Sequence, residues 1–346
     1  MTPRACLSLL LLVSGALASG QDAYVLPPPA PPVKIIFDTD ICNDVDDVLA
    51  LAMLHSLQSR GRCELLAVTV TTPDELTAPF VDAVNHFYGR PSIPIGMTRT
   101  SLRYEQGRYL KLAEVQDEGQ PRYPHALKRS SEAPAAATLL RKVLSAQPDQ
   151  SVVVVQVGYF SNLAALLRSP ADAISPLDGV ELVHRKVKFL SVMAGTFGSD
   201  QRDYEFNVMQ DQAAARDTAR LWPTPIVWSG KEVGLALCYP SASIERDYGY
   251  VKHHPVAEAY CLFNPPPHNR PCWDLTSVLY AVYPDRDYFD LSPPGGVKIE
   301  EDGFTRFDAQ TGGRDRYLRV NPAQVPRLIE AFVQLASQPP ASLSTP

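Results

Sequence analysis

Five aspartates fall within ten consecutive positions, directly behind the apolar run KIIF. Carboxylates held close together repel one another unless a cation or a hydrogen-bond donor offsets their charge. Hard cations such as Ca²⁺ take about six to eight oxygen ligands, and carboxylates are prominent among them. The segment DTDICNDVDD therefore predicts a cation site, and the aspartates it offers are Asp38, Asp40, Asp44, Asp46 and Asp47.

Simpler roles explain only part of this segment. The last three aspartates precede the apolar residues of a predicted helix, where acids cap free N–H groups and favour the helix dipole. Capping needs one or two acids rather than five. An EF-hand loop counted from the first aspartate fails, because Cys42, Asn43 and Leu49 stand where a ligand, a glycine and an acid are required.

An aspartyl phosphotransferase is a more distant alternative, since such enzymes can carry a nucleophilic aspartate at a strand end. That chemistry would usually need a downstream lysine and a second acidic pair for Mg²⁺. Lys186 and Lys188 lie at the start of a predicted strand, which is the wrong end. The alternative stays open at this point.

Apolar runs alternate with amphipathic stretches from residue 34 onward, as is typical of an α/β fold with an open, mostly parallel sheet and helices on both faces. In such sheets ligands bind beyond the carboxyl ends of the strands, where the aspartates lie. Residues 284–321 are predicted to form turns and short strands, with a closing helix after Pro322. Strands are predicted at KIIF, CELLAVTV, SIPIG, SVVVVQV, VKFLSVM and TPIVWSG, and helices at Val45–Arg60, Glu75–Tyr88, Glu132–Ala146, Ser161–Leu167 and Asp211–Arg220.

Composition narrows the range of partners. The chain has 346 residues, 45% of them hydrophobic, and a formal net charge of −6. It shows no basic stripe, so neither a nucleic acid polymer nor an anionic membrane surface is expected as a partner. A small neutral or cationic substrate, or a divalent cation, fits this balance better.

The N-terminal residues have the layout of a secretory signal peptide, with one arginine, an apolar stretch and then small residues. Ala16 and Ala18 form an A-x-A cleavage site, and the apolar stretch is too short to span a bilayer comfortably. We therefore expect an exported protein, periplasmic or secreted. The predicted organisation is a signal peptide at 1–18, a proline-rich linker at 19–33, one domain at 34–337 and a disordered tail at 338–346.

The cysteines do not predict a metal site. Export would leave five of them, an odd number, and no C-x-x-C spacing occurs, which disfavours zinc. One disulfide would be compatible with an oxidising compartment, but the sequence leaves its partners open.

From Lys34 to Leu335 the chain resembles the calcium-dependent nucleoside hydrolases, the inosine–uridine-preferring N-ribohydrolases. Their D-x-D-x-G-x-D-D loop is similar to DTDICNDVDD, which has two extra residues and Cys42 near the glycine position. The longer loop is similar to that of a divergent, often exported bacterial branch. Three further stretches carry the resemblance: VVVVQVGYFSNLAALL, the EFN segment of DYEFNVMQDQAAA, and RPCWDLTSVLYAV.

The resemblance implies an activity and a site. The activity is calcium-dependent hydrolysis of the N-glycosidic bond of ribonucleosides, typical of purine and pyrimidine salvage, in an enzyme that is usually a homo-oligomer, a dimer or tetramer. Asp40 would act as the general base, and Asp46, Glu205 and Asn207 would contact the sugar. The implied Ca²⁺ ligands are Asp40, Asp47, the backbone carbonyl of Val157 and Asp274.

Three departures from the family pattern concern the substrate. Asp74 and Ser199 fall where the family usually has asparagine, and Trp273 falls where many purine-handling members have a histidine that protonates the leaving base. Asp74 and Trp273 are taken as substrate-binding candidates. Because leaving-group activation is the weakest part of the pattern, a calcium-dependent nucleoside- or sugar-binding protein without catalysis remains the main alternative.

The acid that would protonate the leaving base is not identified by the sequence. Trp273 can stack on a base, but its indole N–H cannot transfer a proton. The candidates in irregular segments near the last predicted ligand are His253, His254 and His268, with a tyrosine as a further possibility.

Overall fold

A computed structural model of the protein describes residues 30–42, 44–198 and 202–343. The predicted signal peptide and most of the predicted linker lie outside these residues, as does Ser199. Within the described ranges, no helix is both long and apolar enough to cross a membrane. The five cysteines of this part of the chain all have free thiols.

The secondary structure follows an alternating β/α order along the chain. The strands are β1 (Val33–Thr39), β2 (Cys63–Val70), β3 (Ile95–Met97), β4 (Gln116–Asp117), β5 (Gln120–Pro121), β6 (Val152–Gln156), β7 (Val187–Met193), β8 (Ile226–Ser229), β9 (Cys238–Tyr239), β10 (Arg270–Pro271), β11 (Asp290–Leu291), β12 (Gly295–Ile299), β13 (Thr305–Ala309) and β14 (Asp315–Arg319). The helices are α1 (Asp46–Ser59), α2 (Thr77–Phe87), α3 (Ala136–Ser145), α4 (Ser161–Leu167), α5 (Gly179–Lys186), α6 (Phe206–Gln210), α7 (Gln212–Leu221), α8 (Lys231–Leu235), α9 (Ser241–Arg246), α10 (Pro255–Phe263), α11 (Asp274–Val282) and α12 (Val325–Ala336).

The main sheet has the strand order β13-β12-β14-β8-β7-β6-β1-β2-β3, with β11 paired to β14. The pairs from β3 through β1 and β6 to β14 are parallel, and β11, β12 and β13 add antiparallel pairs at the β14 end. The predicted α/β fold with a mostly parallel sheet is therefore confirmed.

Strand β1 lies between β2 and β6, at the point where the strand order reverses. The chain moves from β1 to β2 and β3 on one side, and then returns to β6 on the other. In open α/β sheets this reversal leaves a crevice at the carboxyl ends of the two central strands, where ligands bind. Here those ends are Thr39 of β1 and Gln156 of β6.

Helices cover both faces of the sheet. Strand β1 has apolar side chains on both faces, and each face is buried against a different set of helices. Ile35 and Phe37 pack into the core that contains α1, α11 and α12, whereas Ile36 packs into the core that contains α3, α4 and α7. The first twelve residues of helix α1 are all buried, including the two acids of its first turn. A helix surrounded by the protein on all sides is held by packing all round, so the position of its first turn is fixed.

Candidate active site

One aspartate of the segment has a structural role. Asp38 is fully buried, and its Oδ1 accepts hydrogen bonds from Thr69 Oγ1 (2.6 Å) and Asn162 Nδ2 (2.8 Å). Burial raises the pKa of its carboxyl to about 7. The donors come from β2 and α4, so Asp38 fixes the end of β1 to its neighbours. The other four aspartates of the segment line a cleft at this end of the sheet.

Three buried carboxylates meet at the bottom of that cleft. Asp46 and Asp47 begin α1, Asp274 begins α11, and the two helices pack against each other. Oxygen atoms of the three carboxylates lie within 4.8 Å of one another. Burial, followed by repulsion between neighbouring carboxylates, raises the pKa of each well above its usual range. Hard oxygen donors at this density fit a divalent cation, which would offset their repulsion.

Hydrogen bonds hold two of these acids in place. Asp46 Oδ2 accepts the backbone N–H groups of Trp273 (3.0 Å) and Asp274 (3.1 Å), at the start of α11. The hydroxyl of Thr39, at the end of β1, donates to Asp47 Oδ1. Asp46, predicted to contact the sugar, therefore lies among the candidate metal ligands and joins α1 to α11.

Asp40 and Val157 line the same cleft from the ends of the two central strands. Asp40 is 5% exposed, and its charge contributes to the raised pKa of Asp47 and of Asp274. The close approach depends on Gly158, because a Cβ there would lie 2.4 Å from the backbone nitrogen of Asp40. All four predicted calcium ligands therefore lie around one cleft.

Glu205 and Asn207 also line the cleft. Glu205 caps α6, accepting the N–H groups of Asn207 (2.8 Å) and Val208 (3.0 Å), and it also accepts from Gly195 (3.3 Å). Burial raises its pKa to about 7. Asn207 Nδ2 donates to the carbonyl oxygens of Val157 (2.9 Å) and Met193 (3.1 Å). Both side chains predicted to bind the sugar are thus oriented by backbone groups.

The cleft has a volume of about 560 Å³, within the usual range of about 300–1,000 Å³ for small-molecule sites. Its outer part mixes aromatic and basic side chains. The further residues that line it are Glu105, Gln106, Arg108, Met193, Tyr204, Phe206, Met209, Lys231, Phe263, Arg270 and Trp273.

Sequence reasoning missed an ion pair in this cleft. Arg270 Nε lies 2.8 Å from Asp44 Oδ1, and its Nη2 contacts Asp44 Oδ2. The charge of Asp44 is therefore balanced within the protein rather than by a cation. The two residues are 226 positions apart, and the only local signal is a lone arginine shortly before the Trp-Asp pair.

A model of the inosine-uridine preferring nucleoside hydrolase family matches residues 35–310 of the chain. The chain belongs to this family. A search of curated protein sequences finds no match.

Two solved nucleoside hydrolases and a type III effector share the fold. The purine-preferring ribonucleoside hydrolase from Gardnerella vaginalis has 19% sequence identity and a TM-score of 0.65, covering 88% of this chain and 98% of that one. The inosine-uridine preferring nucleoside hydrolase from Bacillus anthracis has 18% identity and a TM-score of 0.64, covering 88% and 99%. The type III effector XopQ, solved with adenosine diphosphate ribose, has 19% identity and a TM-score of 0.64, covering 91% and 95%.

In this nucleoside hydrolase, Asp74 is not among the residues that line the cleft. Its Oδ1 accepts the N–H of Leu76 (2.8 Å), ahead of α2, and its Oδ2 accepts from the hydroxyl of Tyr104 (3.3 Å). Its role in substrate binding stays a prediction. Trp273 does line the cleft, and its indole N–H donates to the carbonyl of Lys231 (3.0 Å).

None of the three candidate histidines is among the described residues that line the cleft. His253 Nδ1 lies 2.7 Å from Glu258 Oε1. His254 is buried, with Nε2 2.6 Å from the hydroxyl of Tyr250, and burial lowers its pKa to about 3. The ring of His268 packs near that of Tyr260, and its Nε2 is buried without a hydrogen-bond partner in the part of the chain that the structure describes. Among the tyrosines, Tyr204 does line the cleft, and its hydroxyl donates to Asp302 (3.0 Å).

Proposed function

We propose that this protein hydrolyses the N-glycosidic bond of ribonucleosides, releasing ribose and a free base, and that it requires bound Ca²⁺. The observation that carries the proposal is the buried cluster of Asp46, Asp47 and Asp274 at the carboxyl end of the central strand. Family membership supports the reaction and favours a glycosidase over the aspartyl phosphotransferase. The choice of Ca²⁺ is supported by the all-oxygen donors.

Asp40, Asp47, Asp274 and the Val157 carbonyl would hold the ion, with Asp46 beside them. When bound, Ca²⁺ would orient two ribose hydroxyls and lower the pKa of a water molecule. Asp40 would accept a proton from the water that attacks C1′. The base would leave from the opposite face of the sugar, so we expect inversion at C1′.

Glu205 and Asn207 would clamp the sugar. The carboxylate of Glu205 accepts three backbone N–H groups and still has capacity for a ribose hydroxyl. Both hydrogens of the Asn207 amide are directed at carbonyl oxygens, so its Oδ1 is the atom it can offer to a hydroxyl. Because their own contacts fix these groups before the substrate arrives, binding would also orient it for attack.

The test is direct. Purified mature protein is incubated with a panel of ribonucleosides, with Ca²⁺ or with a chelator, and free ribose is assayed. Release that depends on Ca²⁺ is the expected result. A protein that binds Ca²⁺ and nucleosides yet releases no ribose would instead be the non-catalytic binding protein.

We also propose that the protein is exported and acts as a homo-oligomer. The signal-like N-terminus supports the first and the family resemblance the second.

A further inference from the structure

The proposed hydrolysis also requires a group that stabilises the departing base, and the residues assigned a role so far do not supply one. A nucleobase departs poorly unless its developing negative charge is neutralised or stabilised. None of the three histidines expected to do this lines the cleft, and two of them hold other partners: His253 contacts Glu258 at 2.7 Å and His254 contacts Tyr250 at 2.6 Å. The help has to come from a group that lines the cleft.

Arg270 is such a group, and it is firmly placed. Its side chain is 22% exposed and forms a two-point ion pair with Asp44. Asp44 is itself held, because its Oδ1 accepts the N–H of Val45 (2.6 Å) and its carbonyl accepts the hydroxyl of Tyr109. The pair uses two of the five guanidinium donors, which leaves Nη1 to donate to a ligand.

Two aromatic rings pack against the guanidinium. Its central carbon lies 5.0 Å from the ring centroid of Trp273 and 4.9 Å from that of Phe263. Gly234 packs closely against Trp273, since a Cβ there would lie 2.1 Å from the ring atom Cδ1. The tryptophan is therefore wedged between helix α8 and Arg270. A base placed beside Trp273 would meet the guanidinium.

The other basic residues of the cleft are less suited. Lys231 Nζ binds both oxygens of Asp203 (2.8 and 2.9 Å), and its charge partly offsets the rise that burial causes in the pKa of Glu205, so it lies near a residue predicted to bind the sugar. Arg108 is exposed and donates to the carbonyl of Phe263 (2.9 Å).

We propose that Arg270 is a catalytic residue that stabilises the departing base by donating hydrogen bonds to it. As the C1′–N bond breaks, its electron pair passes to the base, and the guanidinium keeps its protons and binds the resulting anion. Water supplies the oxygen that bonds to C1′, its proton passes to Asp40, and the base takes a proton from solvent. Asp44 is a positioning residue, which holds the guanidinium in this orientation.

The test compares two substrates in the mature enzyme. Inosine has a poor leaving group, and p-nitrophenyl riboside has a good one that needs little help. Arg270→Ala should lower kcat/KM for inosine about 100-fold, as is usual for the loss of one donor to a developing anion, and leave the nitrophenyl substrate little changed. Added guanidinium ion should restore part of the inosine activity.

Controls separate this role from a structural one. Arg122→Gln removes an arginine that pairs with Asp117 and Glu258, away from the cleft lining, and His253→Ala removes the rival acid. Neither should change the ratio between the two substrates. If Arg270→Ala does not fold, Arg270→Lys keeps the charge without the planar fork, and it should still slow inosine more than the nitrophenyl substrate.

The outcomes are distinct. Equal losses with both substrates in the Arg270 variants would overturn the proposal, and so would a selective loss of inosine activity in His253→Ala. If the wild-type enzyme cleaves neither substrate while binding Ca²⁺, the proposed hydrolysis itself fails and Arg270 has no catalytic role.

Discussion

Asn207 Nδ2 lies 2.9 Å from the carbonyl oxygen of Val157. This hydrogen bond joins the start of α6 to the end of β6, fifty positions earlier in the chain. The same nitrogen binds the carbonyl of Met193 at the end of β7. One side chain therefore spans the carboxyl ends of two neighbouring strands and orients the carbonyl proposed to contact Ca²⁺.

Removing that amide should weaken the metal site without unfolding the protein. We expect Asn207→Ala to lower Ca²⁺ affinity or kcat/KM by about 10- to 100-fold, as losses of groups that orient metal ligands typically do. Calorimetric titration with Ca²⁺ and steady-state kinetics measure the two quantities. Asn321→Ala, before α12, is the control, and wild-type values in both variants would contradict this role.

Neutralising one acid of the cluster should have opposite effects on activity and stability. Asp274→Asn should reduce activity by about a thousand-fold or more, because several kcal/mol of metal-derived stabilisation is lost. In the presence of a chelator the same variant should melt higher than the wild type, since one repelling charge is gone. Differential scanning fluorimetry measures this, with the exposed Asp308→Asn as control. A lower melting temperature in chelator would count against charge repulsion as the cause.

The buried acids also predict the pH dependence of stability. Burial raises the pKa of Glu205 to about 7 in the folded protein, above its unfolded value. Its neutral form therefore stabilises the fold at low pH, and this contribution is lost as the pH rises through about 7. We expect the chelator-treated protein to melt at progressively lower temperature from about pH 5 to pH 8, and Glu205→Gln to flatten that profile. A profile that rises over this range would refute the assignment.

Gly234 should tolerate no side chain. A Cβ there would lie 2.1 Å from Trp273 Cδ1, so Gly234→Ala has to displace the side chain of Trp273, the residue whose backbone N–H donates to Asp46. Overpacking of this kind costs about 1–3 kcal/mol, and activity should fall as well. At Gly249 the nearest atom would lie 3.9 Å away, so Gly249→Ala is the matched control. Equal melting temperatures and rates in the two variants would show that Trp273 can move without loss of stability or activity.

Export can be tested on native material. If the signal peptide is cleaved after Ala18, the mature chain begins at Ser19 and is found outside the cytoplasm. N-terminal sequencing of the fractionated protein gives the answer. Recovery of Met1 from the native protein would remove the basis for export.

The parts of the fold and site that the sequence predicted are those encoded by local pattern. All six predicted strands are present in the main sheet, and CELLAVTV and VKFLSVM match β2 and β7 from end to end. Predicted site residues that follow a strand or open a helix line the cleft, as Asp40, Glu205 and Asp274 do. A carboxyl strand end or a helix start fixes where a side chain points, and both can be read from short segments.

Features that depend on distant packing could not be predicted in this way. The Asp44–Arg270 pair joins residues far apart in sequence, and nothing local to either shows the other. The sequence does not distinguish Asp38 from the aspartates that follow it, but its buried side chain accepts a hydrogen bond from Asn162. Helix α10 was missed because its segment is rich in proline and histidine, and its first turn is capped by the His254 ring instead of a common capping residue.

The way β1 ends has a consequence for how insertions and deletions would be tolerated. Thr39, at the last position of β1, binds Asp47 in the first turn of α1, so the loop between them is closed at its base. The loop can therefore change in length, as its two extra residues relative to the family motif suggest, while the acids at its ends stay in place. Loss of a single residue inside β1 would instead turn every following side chain to the other face of the sheet. We therefore expect length changes in the loop to be tolerated where they leave Asp40, Asp44 and Asp46 in place, and deletions within β1 not to be tolerated.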